Sequence, residues 1–194
     1  MTEWSRDLSD SPPQPTPRRL MAVDVLGYYG APAVPALVKA LHDPAPEVSQ
    51  RAIKTLARVG HASREAGPAL VDVVKQAGDS PQLADSAVEA LVSLGPAGLP
   101  AVPALKDADA GVRMNAALAL GRVGREARDA VPALVAQAEY DPWPGARVQA
   151  LDAIGLIGSG TQDAAPRLRR LAINDPDPGV RRRAETALKL TESH

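Results

Sequence analysis

Apolar residues recur along the chain in stretches that have the spacing of an amphipathic helix. The first stretch carries Leu20, Met21, Val25, Leu26 and Tyr29 on one helical face. Matching stretches follow at 52–59, 88–94, 117–123 and 151–157. A glycine closes each of the five, namely Gly30, Gly60, Gly95, Gly124 and Gly158. A repeat period of roughly 30–35 residues is typical of stacked helical units.

A second helical stretch follows each closing glycine and contains a proline and a leucine two residues later. The five prolines are Pro35, Pro68, Pro103, Pro132 and Pro166. Each is predicted in the first turn of its helix, or one turn inside it in the second, fourth and fifth units. The closing glycines are predicted to take the left-handed backbone conformation that ends helices.

An aspartate begins the turn that leads into each next unit, at Asp43, Asp79, Asp107, Asp141 and Asp175. Asp before Pro or a short polar turn predicts a side-chain cap on the following helix. The third unit is the exception in its second helix. This helix is predicted over 98–106 with both Pro100 and Pro103 inside it, which makes it the weakest helix and a candidate hinge.

These elements predict an all-α fold in which five helix pairs and one closing helix form a right-handed α-α superhelix. The predicted units are 18–43, 44–79, 80–107, 108–141 and 142–175, with the closing helix at 178–191 in a repeat domain spanning 18–194. Residues 1–17 have four prolines between positions 12 and 17 and predict an extended or disordered arm. Trp4 is either a tail residue or an anchor that docks.

Composition narrows the chemistry that the chain can carry. It contains no Cys, so disulfides, thiolate catalysis and Cys-ligated metals are excluded. The net charge of −1 does not favour bulk attraction to nucleic acid or anionic lipid. No stretch is apolar enough to predict a membrane span, and the N-terminus does not resemble a signal peptide. The sequence therefore predicts a cytoplasmic protein, with a monomer as the starting assumption.

The helix ends, the Val-Pro-Ala-Leu helices and the Asp-Pro turns resemble HEAT repeats over residues 18–190, in the short bacterial form first noted in phycobilisome lyases. The resemblance implies an ARM/HEAT-type solenoid. It also implies a hydrogen-bonded ladder between each turn aspartate and an arginine six residues later. The pairs with this spacing are Asp107/Arg113, Asp141/Arg147 and Asp175/Arg181. The first two turns have Ser49 and Ala84 at the matching place, so the ladder is expected to be incomplete there.

No motif in the sequence assembles an active site. His42, His61 and His194 form no metal-binding pair, and none is followed by Glu as in HEAT-type deoxyhypusine hydroxylases. The sequence predicts no catalytic residue, metal or cofactor. A bilin lyase or chromophore chaperone would follow from the family resemblance alone. A DNA-binding protein similar to HEAT-like alkylpurine glycosylases is a further alternative, based on the arginines at 167, 169, 170 and 181–183.

The leading hypothesis is a non-enzymatic protein-binding or scaffold module. Family geometry implies that the second helices line the concave face of the solenoid. The candidate contact residues on that face are Lys39, Asp72, Lys75, Gln137, Arg167 and Arg170. Tyr140 and Trp143 belong to a proline-rich turn, where Trp143 is either an exposed anchor or folds back on its neighbours. An acidic protein surface is the expected partner of Arg167 and Arg170, and nucleic acid is disfavoured.

Overall fold

The computed structural model describes residues 3–8, 14–77, 80–158 and 161–192, and over these residues it contains helices and turns but no strand. The chain divides into two compact units, Met1–Ala97 and Gly98–His194. The helices of the first unit are α1 (Glu3–Asp7), α2 (Thr16–Tyr29), α3 (Val34–Ala40), α4 (Pro46–Val59), α5 (Gly67–Gln76) and α6 (Pro81–Ser93). Those of the second are α7 (Ala110–Val123), α8 (Val131–Tyr140), α9 (Pro144–Ile157), α10 (Ala165–Asn174) and α11 (Pro178–Glu192).

Within each unit, consecutive first helices of the pairs pack side by side. In the first unit α2 packs on α4 and α4 on α6, and in the second α7 packs on α9 and α9 on α11. The second helices α8 and α10 pack on the first helices that follow them. The predicted stripes contribute Leu26, Leu56, Leu91, Leu120 and Ile154 to the core, all at most 1 % exposed. The first stripe was only partly right, because Met21 and Tyr29 are 57 % and 52 % exposed and α2 buries Ala22 and Val23 beside Leu26 instead. Burying these side chains between neighbouring pairs supplies the main favourable free energy of folding.

The closing glycines all have positive φ, from 63° to 71°, as the sequence predicted. Their ψ angles differ from the expected left-handed helical value. At Gly124, for example, ψ is −140°, so the backbone lies in a region that essentially only glycine adopts. The chain then continues into 3₁₀ segments at Ala31–Ala33, Gly60–Ala66, Gly124–Ala130 and Gln162–Ala164.

The prolines of the second helices lie in the first turn, at the second residue of α3, α5, α8 and α10. The residues before them form the 3₁₀ segments, so none of these four prolines lies inside an α-helix. In the third repeat, the predicted helix over 98–106 is part of a 12-residue 3₁₀ segment, Gly95–Lys106. Its three prolines lack the N–H groups that an α-helix would need, which explains the tighter winding. The boundary between the two units lies within this segment.

The N-terminal arm differs from the extended segment that the sequence predicted, because residues 3–7 form helix α1 on α2. Arg18 holds this helix through Asp7, at 3.0 Å, and Glu3, at 3.6 Å. Trp4 is half-buried and shares a cavity wall with Pro17 and Met21. The first repeat helix begins at Thr16, two residues before the predicted boundary. Residues 9–13 of the arm and Asp79 lie outside the described residues.

The first helices of the second unit approach closely at a glycine three residues before the closing one. A Cβ atom added to Gly121 would lie 2.8 Å from the Cα atom of Ala153 on the neighbouring helix. The equivalent Gly155 is less confined, because its added Cβ would lie 3.0 Å from the end of the Leu190 side chain and 3.7 Å from Ala187 Cα. The close packing of α7 on α9 therefore requires glycine at position 121, whereas the packing of α9 on α11 does not require glycine at position 155.

Gly121→Ala should lower the free energy of unfolding by about 1–3 kcal/mol, because the new methyl group overpacks against backbone. Gly155→Ala is the matched control. It should be neutral or stabilising by about 0.5–1 kcal/mol, because alanine favours the helix and Leu190 can rotate away. Urea unfolding followed by circular dichroism measures both. Equal destabilisation by the two variants would show that the close approach at Gly121 is not what the helix pair depends on.

Candidate functional site

Two buried arginines in the second unit connect consecutive turns. Arg113 donates from Nε and Nη2 to the carboxylate of Asp141, at 2.7 and 2.8 Å, and Arg147 donates in the same way to Asp175, at 3.0 and 2.8 Å. Each also donates from Nη1 to the backbone carbonyl of the aspartate six residues before it, Asp107 at 2.9 Å and Asp141 at 3.0 Å. The predicted pairs therefore meet through the carbonyl, while the carboxylates of Asp141 and Asp175 are bound by the arginine of the preceding repeat.

A third pair of this kind lies in the first unit and was missed from the sequence. Arg19 donates to both carboxylate oxygens of Asp43, each at 2.9 Å, and from Nη1 to the carbonyl of Gln14. The sequence signal was the position in the helix: Arg19, Arg113 and Arg147 are each the fourth residue of a first helix. Searching for an aspartate six residues earlier could not find Arg19, because Pro13 occupies that place.

The ladder has no arginine in α4 and α6, as the sequence predicted. Ser49 takes the place in α4, and its hydroxyl donates to the carbonyl of Leu41 at 2.7 Å. Ala84 takes the place in α6 and has no side-chain donor. The arginine ladder, as we call it from here, thus consists of Arg19, Arg113, Arg147 and Arg181.

The turn aspartates are not helix caps as the sequence predicted. Asp43, Asp141 and Asp175 each accept the backbone N–H of the residue two positions later, at 2.9 Å, which is the geometry of an Asx turn. The side-chain caps belong instead to Asp109 on α7 and Asp177 on α11. The turn aspartates lie two residues before the N-cap position, so their carboxylates reach the N-cap N–H rather than the N–H groups of the first helical turn.

The ladder contact between Arg113 and Asp141 shifts the pKa values of both groups. Burial alone would raise the pKa of Asp141, but hydrogen bonds from Arg113 and from Trp143 N–H outweigh burial and hold it below the usual range. The hydrogen bond to Asp141 raises the pKa of Arg113 in turn. Both groups are thus kept charged in the folded protein, which suits them to a structural role rather than to proton transfer.

A cavity of about 330 Å³ opens on α8 in the second unit, and we call it the α8 groove. Its apolar wall includes Leu105, Ala133 and Ala136, and its polar lining includes Lys106, Gln137 and Tyr140. Tyr140 is 73 % exposed. Gln137 is buried, donates to the carbonyl of Arg113 at 3.3 Å, and leaves its buried Oε1 atom without a hydrogen-bond partner. The groove thus places an exposed aromatic ring beside an apolar surface.

Arg167 and Arg170 of α10 both donate to the carboxylate of Glu139 on α8. We call these three residues the Glu139 fork. The Glu139 side chain is only 3 % exposed, whereas those of Arg167 and Arg170 are 42 % and 60 % exposed. Burial would raise the pKa of Glu139, but the hydrogen bonds and charges of the two arginines outweigh it and lower this pKa. The carboxylate of Glu139 therefore already binds Arg167 and Arg170, the two cations that the sequence predicted to contact a partner.

The remaining candidate residues are spread over both units. Trp143 is 57 % exposed, and its indole lies beside Gly145 at the start of α9. Lys39 on α3, and Asp72 and Lys75 on α5, are exposed on second helices of the first unit. The structure thus brings together Gln137, Tyr140, Arg167 and Arg170 around α8 and α10, and it places the other candidates elsewhere.

The predicted basic cluster at the end of the chain is largely paired. Besides the Glu139 fork, Arg169 lies 2.5 Å from Glu192, and Arg183 lies 2.9 Å from Asp152. Within the described residues, no group of three or more His, Cys, Asp or Glu side chains could hold a metal ion. None of the described helices combines the length and apolar character that crossing a membrane requires.

Asp141→Asn should lower the free energy of unfolding at pH 7 by about 1.5–3 kcal/mol, because a charged hydrogen-bonded pair is lost. The folded-state pKa of Asp141 is depressed, so its stabilisation is present above the ordinary pKa of about 3.9 and is lost as the pH falls through the lower folded value. The stability gap between wild type and this variant should therefore narrow below about pH 4.

Asp152→Asn is the control with the opposite sign. Burial raises the pKa of Asp152 despite the charge of Arg183, so wild type should gain stability relative to this variant as the pH falls. Urea unfolding between pH 3 and pH 7 measures both gaps. A gap for Asp141→Asn that stays constant over this range would contradict the ionised state assigned to the ladder.

Comparison with known proteins connects this arrangement to a family. The family described as HEAT repeats matches residues 8–92 and 98–189. A designed armadillo repeat protein is 22 % identical, with 97 % of this chain and 98 % of that chain covered and a TM-score of 0.51.

A solved structure concerned with microtubule plus end tracking by XMAP215, CLIP-170 and EB1 contains a chain that is 17 % identical. The match covers 97 % of this chain and 90 % of that one, with a TM-score of 0.69. No curated protein matches the chain. At these identities the solved structures show the fold alone, and they confirm the predicted all-α solenoid of ARM/HEAT type. Because the family match covers most of its length, the chain belongs to the HEAT repeat family.

Proposed function

We propose that the chain is a non-enzymatic protein-binding module and that its contact surface includes the α8 groove and the exposed sides of Arg167 and Arg170. The observation that carries this proposal is Tyr140, a tyrosine 73 % exposed at the wall of an apolar cavity. Tyrosine and arginine are the side chains most often found at the energetic centre of protein interfaces. HEAT repeats commonly bind proteins, which supports the same function.

The charge around the groove favours an acidic segment of a protein. Lys106 and Asp107 both line the groove and offset each other, so the positive charge beside it comes from the Glu139 fork, whose two arginines carry one more charge than Glu139 neutralises. Each guanidinium has five N–H donors and uses one of its nitrogens on Glu139, so it retains donors for a partner carboxylate. An apolar side chain in the groove with an acidic residue beside it would match both features.

The same contacts argue against the two alternative functions. A DNA-binding surface needs cations that are free to replace counterions on phosphates, whereas the Glu139 fork and the pairs of Arg169 and Arg183 are already neutralised in part. An enzyme would need a titratable group poised for proton transfer at the groove. Glu139 and Asp141 have lowered pKa values and are held by arginines, which makes them poor general acids or bases.

Panning a random peptide-display library against the full chain tests the proposal. Enriched peptides should carry an apolar residue next to Asp or Glu, and Tyr140→Ala should weaken their binding at least about tenfold, as expected for an interface hot spot. Tyr28→Ala is the matched control, because Tyr28 is 85 % exposed on α2 in the other unit. Binding measured by fluorescence anisotropy should be unchanged in that variant.

Three results would overturn the proposal. The first is that no peptide is enriched, and the second is that Tyr140→Ala binds the enriched peptides as tightly as wild type does. The third is salt-dependent DNA retention that is lost in Arg167→Gln/Arg170→Gln, which would favour the nucleic-acid function instead. A pigment absorbance that co-purifies with the chain would likewise favour the chromophore-binding alternative.

A further inference from the structure

The last arginine of the ladder, Arg181, is held by its own turn in the same way as the others. Its Nη1 atom donates to the carbonyl of Asp175 at 2.8 Å and to that of Pro176 at 3.2 Å. Arg113 makes the same two contacts two repeats earlier, to the residues six and five positions before it, both at 2.9 Å. Because Nη1 is fixed identically, the planar guanidinium of Arg181 presents its other edge in the direction used by Arg113.

In the three other ladder arginines, that other edge binds an aspartate. Nε and Nη2 of Arg19, Arg113 and Arg147 together hold both carboxylate oxygens of one Asp, at 2.7–3.0 Å. Among the residues that the structure describes, Nε and Nη2 of Arg181 have no such carboxylate, and the side chain is half-buried rather than buried. Arg181 thus has two N–H donors held in a fixed orientation. In the other three ladder arginines, the same two donors bind an aspartate carboxylate.

Charged groups from each neighbouring element surround this edge. Asp175 is bound by Arg147, and Asp177 accepts the N–H groups of Gly179 and Val180. Glu185, one turn further along α11, makes no ion pair with Arg181 in the described chain, whereas Arg182 adds an exposed positive charge. Arg181 and Arg182 are thus balanced by Asp177 and Glu185, so the selection of an anion rests on the two-donor edge of Arg181 itself and not on local net charge.

The rest of α11 shows what kind of partner fits. Counted from the first proline of each helix, Glu185 occupies the place of the buried Leu151 in α9. Four of the other five buried apolar positions of α9 keep an apolar residue in α11, so the change to a polar side chain is local to the exposed Glu185. A partner beside Arg181 and Glu185 would meet charged side chains there and would be recognised through charged hydrogen bonds.

We propose that the Nε–Nη2 edge of Arg181 is a binding site for the carboxylate of an aspartate on a protein partner, presented from an Asp-Pro turn. The internal examples choose aspartate: in each, the bound carboxylate also accepts the N–H two residues later, which fixes both oxygens toward the guanidinium. The site lies on a first helix and shares no residue with the α8 groove. It is therefore independent of the function proposed above.

The probe is the short peptide acetyl-Ala-Asp-Pro-Ala amide, with its Asn counterpart as the matched control. Full-length protein labelled with ¹⁵N is titrated while the arginine Nε–Hε signals are followed by NMR, with the Arg181 signal identified by its loss in Arg181→Lys. The Asp peptide should shift the Arg181 signal saturably and leave those of Arg113 and Arg147 unmoved, because their edges are occupied. The Asn peptide should bind at least about tenfold more weakly, since the charged hydrogen bonds are lost.

Variants at neighbouring positions distinguish specific binding to the Arg181 edge from non-specific attraction of the peptide to positive charge. Arg181→Lys keeps the charge but cannot donate from a planar pair, so it should lose peptide binding about tenfold. Arg182→Lys changes an exposed neighbour and should bind the peptide as wild type does. Equal losses in the two variants, or the absence of a saturable shift, would overturn the proposal. A stronger response to inorganic phosphate than to the Asp peptide would overturn the assignment to a carboxylate.

Discussion

The close approach of consecutive first helices is the constraint on which the other contacts within each unit depend. Where α7 and α9 meet, a Cβ atom at position 121 would lie only 2.8 Å from Ala153 Cα, so glycine there lets the two helices lie side by side at short range. This separation lets an arginine in the first turn of one helix reach the aspartate that precedes the next. A guanidinium of the ladder then connects two consecutive turns: Arg113, for example, binds the carbonyl of Asp107 in its own turn and the carboxylate of Asp141 in the next. Packing at Gly121 sets the distance between the helices, and the bidentate arginine–aspartate contacts fix how one helix is positioned along the other.

The sequence predicted the helix pairs because their signals are local. Apolar spacing, a closing glycine and a proline in the first turn each act over one or two helical turns. Gly124 has the positive φ and Pro132 the first-turn position that were predicted, although the ψ of Gly124 differs. The contacts that span repeats could not be read in this way. Arg113 and Asp141 are 28 residues apart, and nothing local says that the carboxylate belongs to the preceding arginine. Helix α1 was missed for the same reason, since it is held by Arg18 rather than by its own sequence.

The candidate site shows the same limit for charge. A run of arginines in the sequence suggested a free basic patch, yet Arg167 and Arg170 meet the buried Glu139 from a different helix. The local sequence around these arginines does not indicate this pairing, because Glu139 lies 28 and 31 residues before them in the chain. What the structure leaves for recognition is narrower than the patch: the exposed edges of two arginines and the ring of Tyr140. Such a surface discriminates partners by shape and hydrogen-bond geometry rather than by net charge.

The ladder arginines also differ in what the fold requires of them. Arg147 is buried with Asp175, so removing either side chain would strand an uncompensated charge, which costs more than the pair contributes. Arg181 is half-exposed and opposes no buried carboxylate in the described residues, so its loss strands nothing. Helices α4 and α6 begin without any arginine at this place, with Ser49 and Ala84 instead. Folding of the described residues therefore does not demand an arginine at the start of α11, and the guanidinium there is available for a contact that none of those residues makes.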